Sequence, residues 1–469
     1  MKTLERQLAD YGERQRELHG PISPDELTVV LGRSDRKAPS PPHRRRGLTI
    51  AVAAAAATLL MFGLIPLLVN TDAPSVADSI APTTPAESTP TTLGELVLIP
   101  GIWTRVPHDE TVFGGEGEQG MGSVTVGGPG LVAVGATGGW FGDGDAAVWT
   151  SPDGITWSRV PHDEAVFGGG RIRMSSVTVG GPGLVAVGWD GRILADVPDV
   201  DAAIWTSVDG DTWTRVPHDE EVFGGAWMES VTAGGPGLVA VGGTEGFWTG
   251  GDAVVWTSVD GFTWSRVPHD ETVFGGNGVQ QMLSVTAGGP GLVAVGMSGG
   301  MGPWDNNPGA NAAVWTSVDG ITWSRVPHDE TVFGSGGNPS MLAVTAGGPG
   351  LVAVGADYHP ELAETPVWTS PDGITWTRVP DDETVRGSMT SVAAGASGLV
   401  AVGLDSSFSA TAVWTSVDGI TWSRVVDDDA VFGRWPDWVS KVTVGGPGFV
   451  AVGNHDGDAA VWVWEAEKD

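Results

Sequence analysis

SVTVGGPGLVAVGWDGRILADVPDVDAAIWTSVDGDTWTRV, residues 176–216, holds four short runs of β-branched and aromatic residues with turns between them. The runs are Ser176-Val177-Thr178-Val179, Leu184-Val185-Ala186-Val187, Ala203-Ile204-Trp205-Thr206 and Thr212-Trp213-Thr214-Arg215-Val216, here called strands a, b, c and d. Branched and flat side chains suit a pleated, half-buried surface, and short runs bounded by Gly, Pro, Asp and Ser read as strands. Gly180-Gly181-Pro182-Gly183 joins a to b, a tight turn that needs positive φ. Ser207-Val208-Asp209-Gly210 joins c to d, and Asp-Gly between apolar strands is a strong hairpin signal.

The unit recurs. Trp followed by Ser/Thr-Arg-Val stands at Trp103, Trp157, Trp213, Trp264, Trp323, Trp376 and Trp422. A spacing of about 50 residues belongs to propellers and solenoids. Each of the four strands occurs seven times, but the ends are incomplete. A lone d strand opens the series at Trp103, and a lone a-b-c set, from Val442 to Trp462, ends it. Joined, the two ends make one more four-stranded sheet, which protects the sheet edges. An open solenoid needs no such complementary ends. The order therefore predicts an all-β, seven-bladed β-propeller closed by its termini over residues 98–469, with pairs such as Trp205 and Trp213 filling the space between blades.

The remaining chain reads differently. Leu48 to Val69 is 22 residues without a charge, long enough to cross the ~30 Å hydrocarbon core as one helix. Arg44, Arg45 and Arg46 precede it, which predicts a cytoplasmic segment 1–47 and an extracellular propeller on a single-pass membrane protein. The 47 residues before the apolar run argue against a cleaved signal peptide. Residues 70–97 are rich in Thr, Pro and Ser, as expected of a linker. Cysteine is absent, so neither a disulfide framework nor a thiolate metal site is available. Nearly all of the 57 acidic residues lie beyond residue 71, and the net charge is −33. Such a surface repels phosphate backbones, so no nucleic-acid partner is expected.

The c–d hairpin Ser-x-Asp-Gly-x-Thr-Trp, from Ser151 to Trp157, Ser207 to Trp213, Ser258 to Trp264, Ser317 to Trp323, Ser370 to Trp376 and Ser416 to Trp422, resembles the Asp-box, or BNR repeat, of sialidases and related propellers. It is one residue shorter between Asp and Gly. The resemblance covers the repeat region alone, and it implies a structural hairpin set away from any active site.

The a–b and c–d turns vary little between units, whereas the b–c loops and d–a connections differ in length and content. Binding residues concentrate on variable loops held by a rigid scaffold. Trp140, Trp189, Trp248, Trp304, Trp435 and Trp438, with Tyr358, Arg171, Arg173, Arg192, Arg386 and Arg434, are therefore the candidate ligand-binding residues, Trp and Arg being common anchors. Trp227 is a seventh tryptophan assigned to the same loops. Pro-His-Asp-Glu recurs at residues 107–110, 161–164, 217–220, 268–271 and 327–330. Its copies follow the outermost strand, too far apart to share one ion, so the Asp is expected to cap a turn, and neither a metal nor another cofactor is assigned.

The leading reading is a cell-surface binding or scaffold protein that holds a glycan or a protein on its loop face, and no catalytic residue is assigned. The resemblance implies a second reading, a sialidase-like glycosidase, which needs three converging Arg and a Tyr–Glu pair. Tyr358 with Glu361 or Glu364 is the candidate pair, although sialidases have six blades. A third is a transmembrane sensor whose tail binds a cytoplasmic regulator; with only His19 and His43 and no Cys, that tail lacks a zinc motif.

Overall fold

The computed structural model describes residues 101–466 apart from 139–143, 193–198, 245–250, 301–308, 335–336, 358–363, 426–428 and 435–436. The chain divides into two compact units, Met1–Glu87 and Ser88–Asp469, and every described residue lies in the second. The cytoplasmic, membrane and linker expectations for residues 1–97 fall outside the described residues. Among the described residues no helix is long and apolar enough to cross a membrane.

The fold is a seven-bladed β-propeller. Seven four-stranded antiparallel sheets each take their strands in the order a, b, c, d. The first six blades span residues 119–159, 172–215, 226–266, 280–325, 339–378 and 387–424. The seventh joins the two ends of the repeat region. Gly101–Arg105 pairs with Asp458–Ala466, from Gly101 opposite Ala466 to Arg105 opposite Trp462. Glycine is required at the start of that strand, because a Cβ at Gly101 would collide with the Trp464 indole.

The inner strands touch their neighbours all the way round and close a ring about the axis. The core lies between blades. One cluster joins Val132, Val134 and Val148 of the first blade to Met174, Leu184, Trp205 and Trp213 of the second, with Phe167 from the connection. Burying one such side chain contributes about 1.5–3 kcal/mol. The blades are also stitched by polar bonds. The Trp205 indole N–H donates to the Val166 carbonyl at 2.8 Å, and Trp149, Trp256, Trp315, Trp368 and Trp462 do the same to the preceding connection.

The c–d hairpin is built as its residues suggest. In the fourth blade Ser317 Oγ accepts from the Gly320 N–H at 2.8 Å, and the Asp319 carboxylate accepts from the Ile321 and Thr322 N–H groups at 2.9 and 2.7 Å. The Trp323 indole donates to the Gly320 carbonyl at 2.9 Å, and Gly320 has φ of 78°. The backbone donors of Thr322 and then Ile321 hold the Asp319 carboxyl below the usual range.

The strands are longer than their sequence cores. In the second blade strand a is Ile172–Gly180, b is Gly183–Arg192 and c is Asp199–Ser207. A bulge between Met174 and Ser176 explains the early start of strand a. One extra residue there shifts the alternation, so a strict period of two fails to connect Met174 with Val177. The supposed long b–c loop after Trp189 is largely a hairpin extension, with Arg192 paired to Asp199.

Candidate binding site at the channel mouth

Every inner strand carries the same bulge. The extra residue is Gly122, Ser175, Glu229, Leu283, Leu342, Thr390 or Ser440 in blades one to seven. Two positions earlier stand Gly120, Arg173, Trp227, Gln281, Ser340, Ser388 and Trp438. These positions lie at the strand end where the d–a connections enter, and so at the mouth on the loop face. The first blade has glycine at both. A Cβ at Gly120 would meet nothing within 4 Å, whereas one at Gly122 would approach Arg173 Nη2 to 3.4 Å.

The result is a small notch of about 20 Å³, room for about one water. Its walls come from three successive inner strands: Trp438 and Ser440 of the seventh blade, Gln119, Gly120 and Met121 of the first, and Arg173 of the second. Glu118, Ala136 and Asn454 complete the lining. The Trp438 indole N–H donates to Ser440 Oγ at 2.9 Å, which fixes the ring, and its backbone N–H donates to Asn454 Oδ1 at 3.2 Å.

The charges at the axis are unusual for an acidic protein. Burial lowers the Arg173 guanidinium to about 10, against the pull of Glu229. Burial pushes the Glu229 carboxyl up to about 7, opposed by Arg173 and then by the Trp227 indole. Burial also lowers Lys441, which occupies the seventh-blade position where five other blades have serine. Arg173 and Glu229 thus interact in a low-dielectric setting, in which a side chain titrates near neutral pH.

Of the candidate residues, the structure brings Arg173 and Trp438 together. Both lie in inner strands and not, as the repeat pattern suggested, in loops. Trp189 pairs across from Arg173 in strand b and is half-buried. Trp227 is also in an inner strand and only 1% exposed, so it is a core residue and not a surface anchor. Arg171 adopts φ of 74° in the d–a connection and donates its backbone N–H to Gly144. Arg192 ends strand b opposite Asp199. Arg386 lies 3.6 Å from Glu383 of its own turn, and Arg434 is exposed beside Ala410 of the sixth blade. Trp140, Trp248, Trp304, Tyr358 and Trp435 lie outside the described residues.

The Asp of each Pro-His-Asp-Glu copy caps the following turn. Asp163 accepts from the Ala165 N–H at 2.9 Å ahead of the helix Glu164–Phe167, and Asp109, Asp219, Asp270 and Asp329 act alike. Sequence reading missed Gly120, Gly122, Glu229 and Lys441. Aligning the seven units on their Met or Val before the bulge would have exposed them as departures from the repeat.

No protein-family description matches the chain, and no curated protein matches it. Among solved structures it is similar to Sqt1 from Chaetomium thermophilum, at 13% identity and a TM-score of 0.41, over 74% of this chain and 82% of that one. It is similar also to the periplasmic gluconolactonase PpgL of Pseudomonas aeruginosa, at 11% identity and a TM-score of 0.40, over 63% of this chain and 81% of that one. At such scores the likeness adds nothing to what the seven sheets show directly.

Proposed function

We propose that the chain is a binding propeller that holds a glycan across the channel mouth, over the notch between its seventh, first and second blades. The observation that carries this reading is the pair of axis-facing glycines, Gly120 and Gly122, set between Trp438 and Arg173. A Trp face suits the apolar face of a sugar ring, and a guanidinium supplies up to five donors in a fixed plane to hydroxyls or a carboxylate. The Ser-x-Asp-Gly hairpins support kinship with Asp-box propellers. The apolar segment 48–69 supports display at a cell surface, with the propeller outside.

A sialidase-like hydrolase has less behind it. Of the five candidate arginines only Arg173 lines the notch, while Arg386 is held by Glu383. The test is a thermal-shift and calorimetric screen of the chain against neutral oligosaccharides and sialosides, with hydrolysis followed on any that bind. Gly120→Leu fills the notch without removing a single polar group. Loss of binding in Gly120→Leu and Trp438→Ala, at unchanged Tm, is expected. Undiminished binding in both would abandon the notch in favour of the outer loops.

A further inference from the structure

Each Pro-His-Asp-Glu copy in four blades meets one more carboxylate, from the start of strand c in its own blade. His162 Nε2 lies 3.2 Å from Glu164 and 3.8 Å from Asp145. His218 lies 3.2 Å from Glu220 and 3.7 Å from Asp201, and His269 lies 3.2 Å from Glu271 and 3.7 Å from Asp252. His108 lies 3.3 Å from Glu110 and 3.6 Å from Asp458. In every cluster the ligand atoms are within 4.8 Å of one another. One imidazole nitrogen therefore faces two carboxylates, and it can donate a proton to only one of them. Burial first, and then the like charge of the neighbouring Glu, pushes the Asp252 and Asp458 carboxyls above their usual range, with the histidine opposing.

The fifth blade shows what this place accommodates. Glu364 stands four residues before Trp368, as Asp145 stands before Trp149, and Asp381 occupies the histidine position. Between them lies a cation of the chain's own. Arg378 Nη2 is 2.8 Å from Glu364 and 3.5 Å from Asp381. Arg378 also donates to the Gly334 carbonyl at 3.3 Å, as Arg159 donates to the Gly114 carbonyl at 2.8 Å, so the arginine keeps its place and its other nitrogen turns to the carboxylates; Arg215 instead binds Asp190 at 2.6 Å. In the fourth blade Asn311 replaces the strand-c carboxylate beside His328, and in the sixth Ala410 replaces it.

We propose that the clusters Asp145–His162–Glu164, Asp201–His218–Glu220, Asp252–His269–Glu271 and His108–Glu110–Asp458 each bind a divalent transition-metal ion of the Zn²⁺ class. One imidazole with two carboxylates is a mixed nitrogen and oxygen donor set, which suits zinc better than the all-oxygen sphere of calcium. Three protein ligands leave a position open for water or for a donor group on a partner. The four histidines are 43–48% exposed, so ions reach them from solvent. A further group, Asp437, His455 and Asp456, is built from other positions of the seventh blade and stands apart from this set.

The test is equilibrium dialysis of the full chain against Zn²⁺ near neutral pH, comparing the parent with D145N/D201N/D252N/D458N. Bound zinc is expected to fall by about four ions per chain in that variant, and by about one in His162→Ala if the multiple variant does not fold. His328→Ala, whose blade lacks the third ligand, should leave the count unchanged. Equal uptake by parent and variants, or a loss on replacing His328 as large as that on replacing His162, overturns the proposal.

Discussion

Ser284 Oγ in the fourth blade accepts a hydrogen bond from the Val344 N–H in the fifth, at 3.3 Å. The same bond links Ser123 to Val177, Ser176 to Val231, Ser230 to Val285 and Ser391 to Val442. Inner strands of neighbouring blades are thus tied by side chain to backbone, since each ladder is complete within its own sheet. The fifth blade has Ala343 at this position and the seventh has Lys441, neither of which accepts a hydrogen bond there.

Ser284→Ala should therefore cost about 1 kcal/mol, the price of one buried N–H left without its acceptor. Ala343→Ser should recover a similar amount by supplying the missing link. Urea unfolding of both variants checks this, and a neutral result for Ser284→Ala would mean that packing alone aligns the ring.

Glu229 makes stability depend on pH. Its folded pKa, about 7, lies above the ordinary value of 4.5, so the protonated form favours the folded chain. That contribution is complete below about 4.5 and is lost as the pH climbs through about 7. Glu229→Gln should match the parent near pH 4 and exceed it above pH 8, by on the order of 3 kcal/mol. Parallel urea titrations at the two pH values measure the gap; no difference at high pH would show that the carboxyl ionises freely.

The six hairpin aspartates act in the opposite sense. Backbone donors hold carboxyls such as Asp319 and Asp372 below the ordinary value of 3.8. Their contribution is present above that value and lost as the pH falls through the depressed one, so the propeller should lose stability steeply in acid. Asp319→Ala should lower Tm at neutral pH and leave the other five hairpins to titrate as before. Differential scanning calorimetry at neutral and acid pH reads both effects.

Closure by the N-terminal strand should be a large single term. Trp103 is 5% exposed and packs on Phe432 at 5.8 Å between ring centroids. Trp103→Ala should cost about 3–5 kcal/mol. Hydrogen exchange should then show the pairs from Gly101 to Arg105 opening before those of any internal blade. Uniform exchange across all seven blades would instead mean that the ring opens elsewhere.

The sequence by itself determined the number of blades, their strand order and the shared seventh sheet, because each rests on local and repeated chemistry. Asp319 and Gly320 build the same hairpin wherever they recur, since turn geometry is decided within a few residues. A strand missing at one end and present at the other has one partner in a closed ring. Two kinds of information were decided only by tertiary structure. One is phase: the bulges after Met174 and Val439 turn Arg173 and Trp438 from presumed loop residues into walls of the axis, and strand alternation is blind to an inserted residue. The other is adjacency between strands far apart in sequence. Gly120 becomes a notch only when Trp438, more than 300 residues later, is brought beside it by ring closure. Asp145 meets His162 only because the c–d hairpin folds the chain back on itself. Such meetings follow from sheet register and closure, which no window along the chain contains.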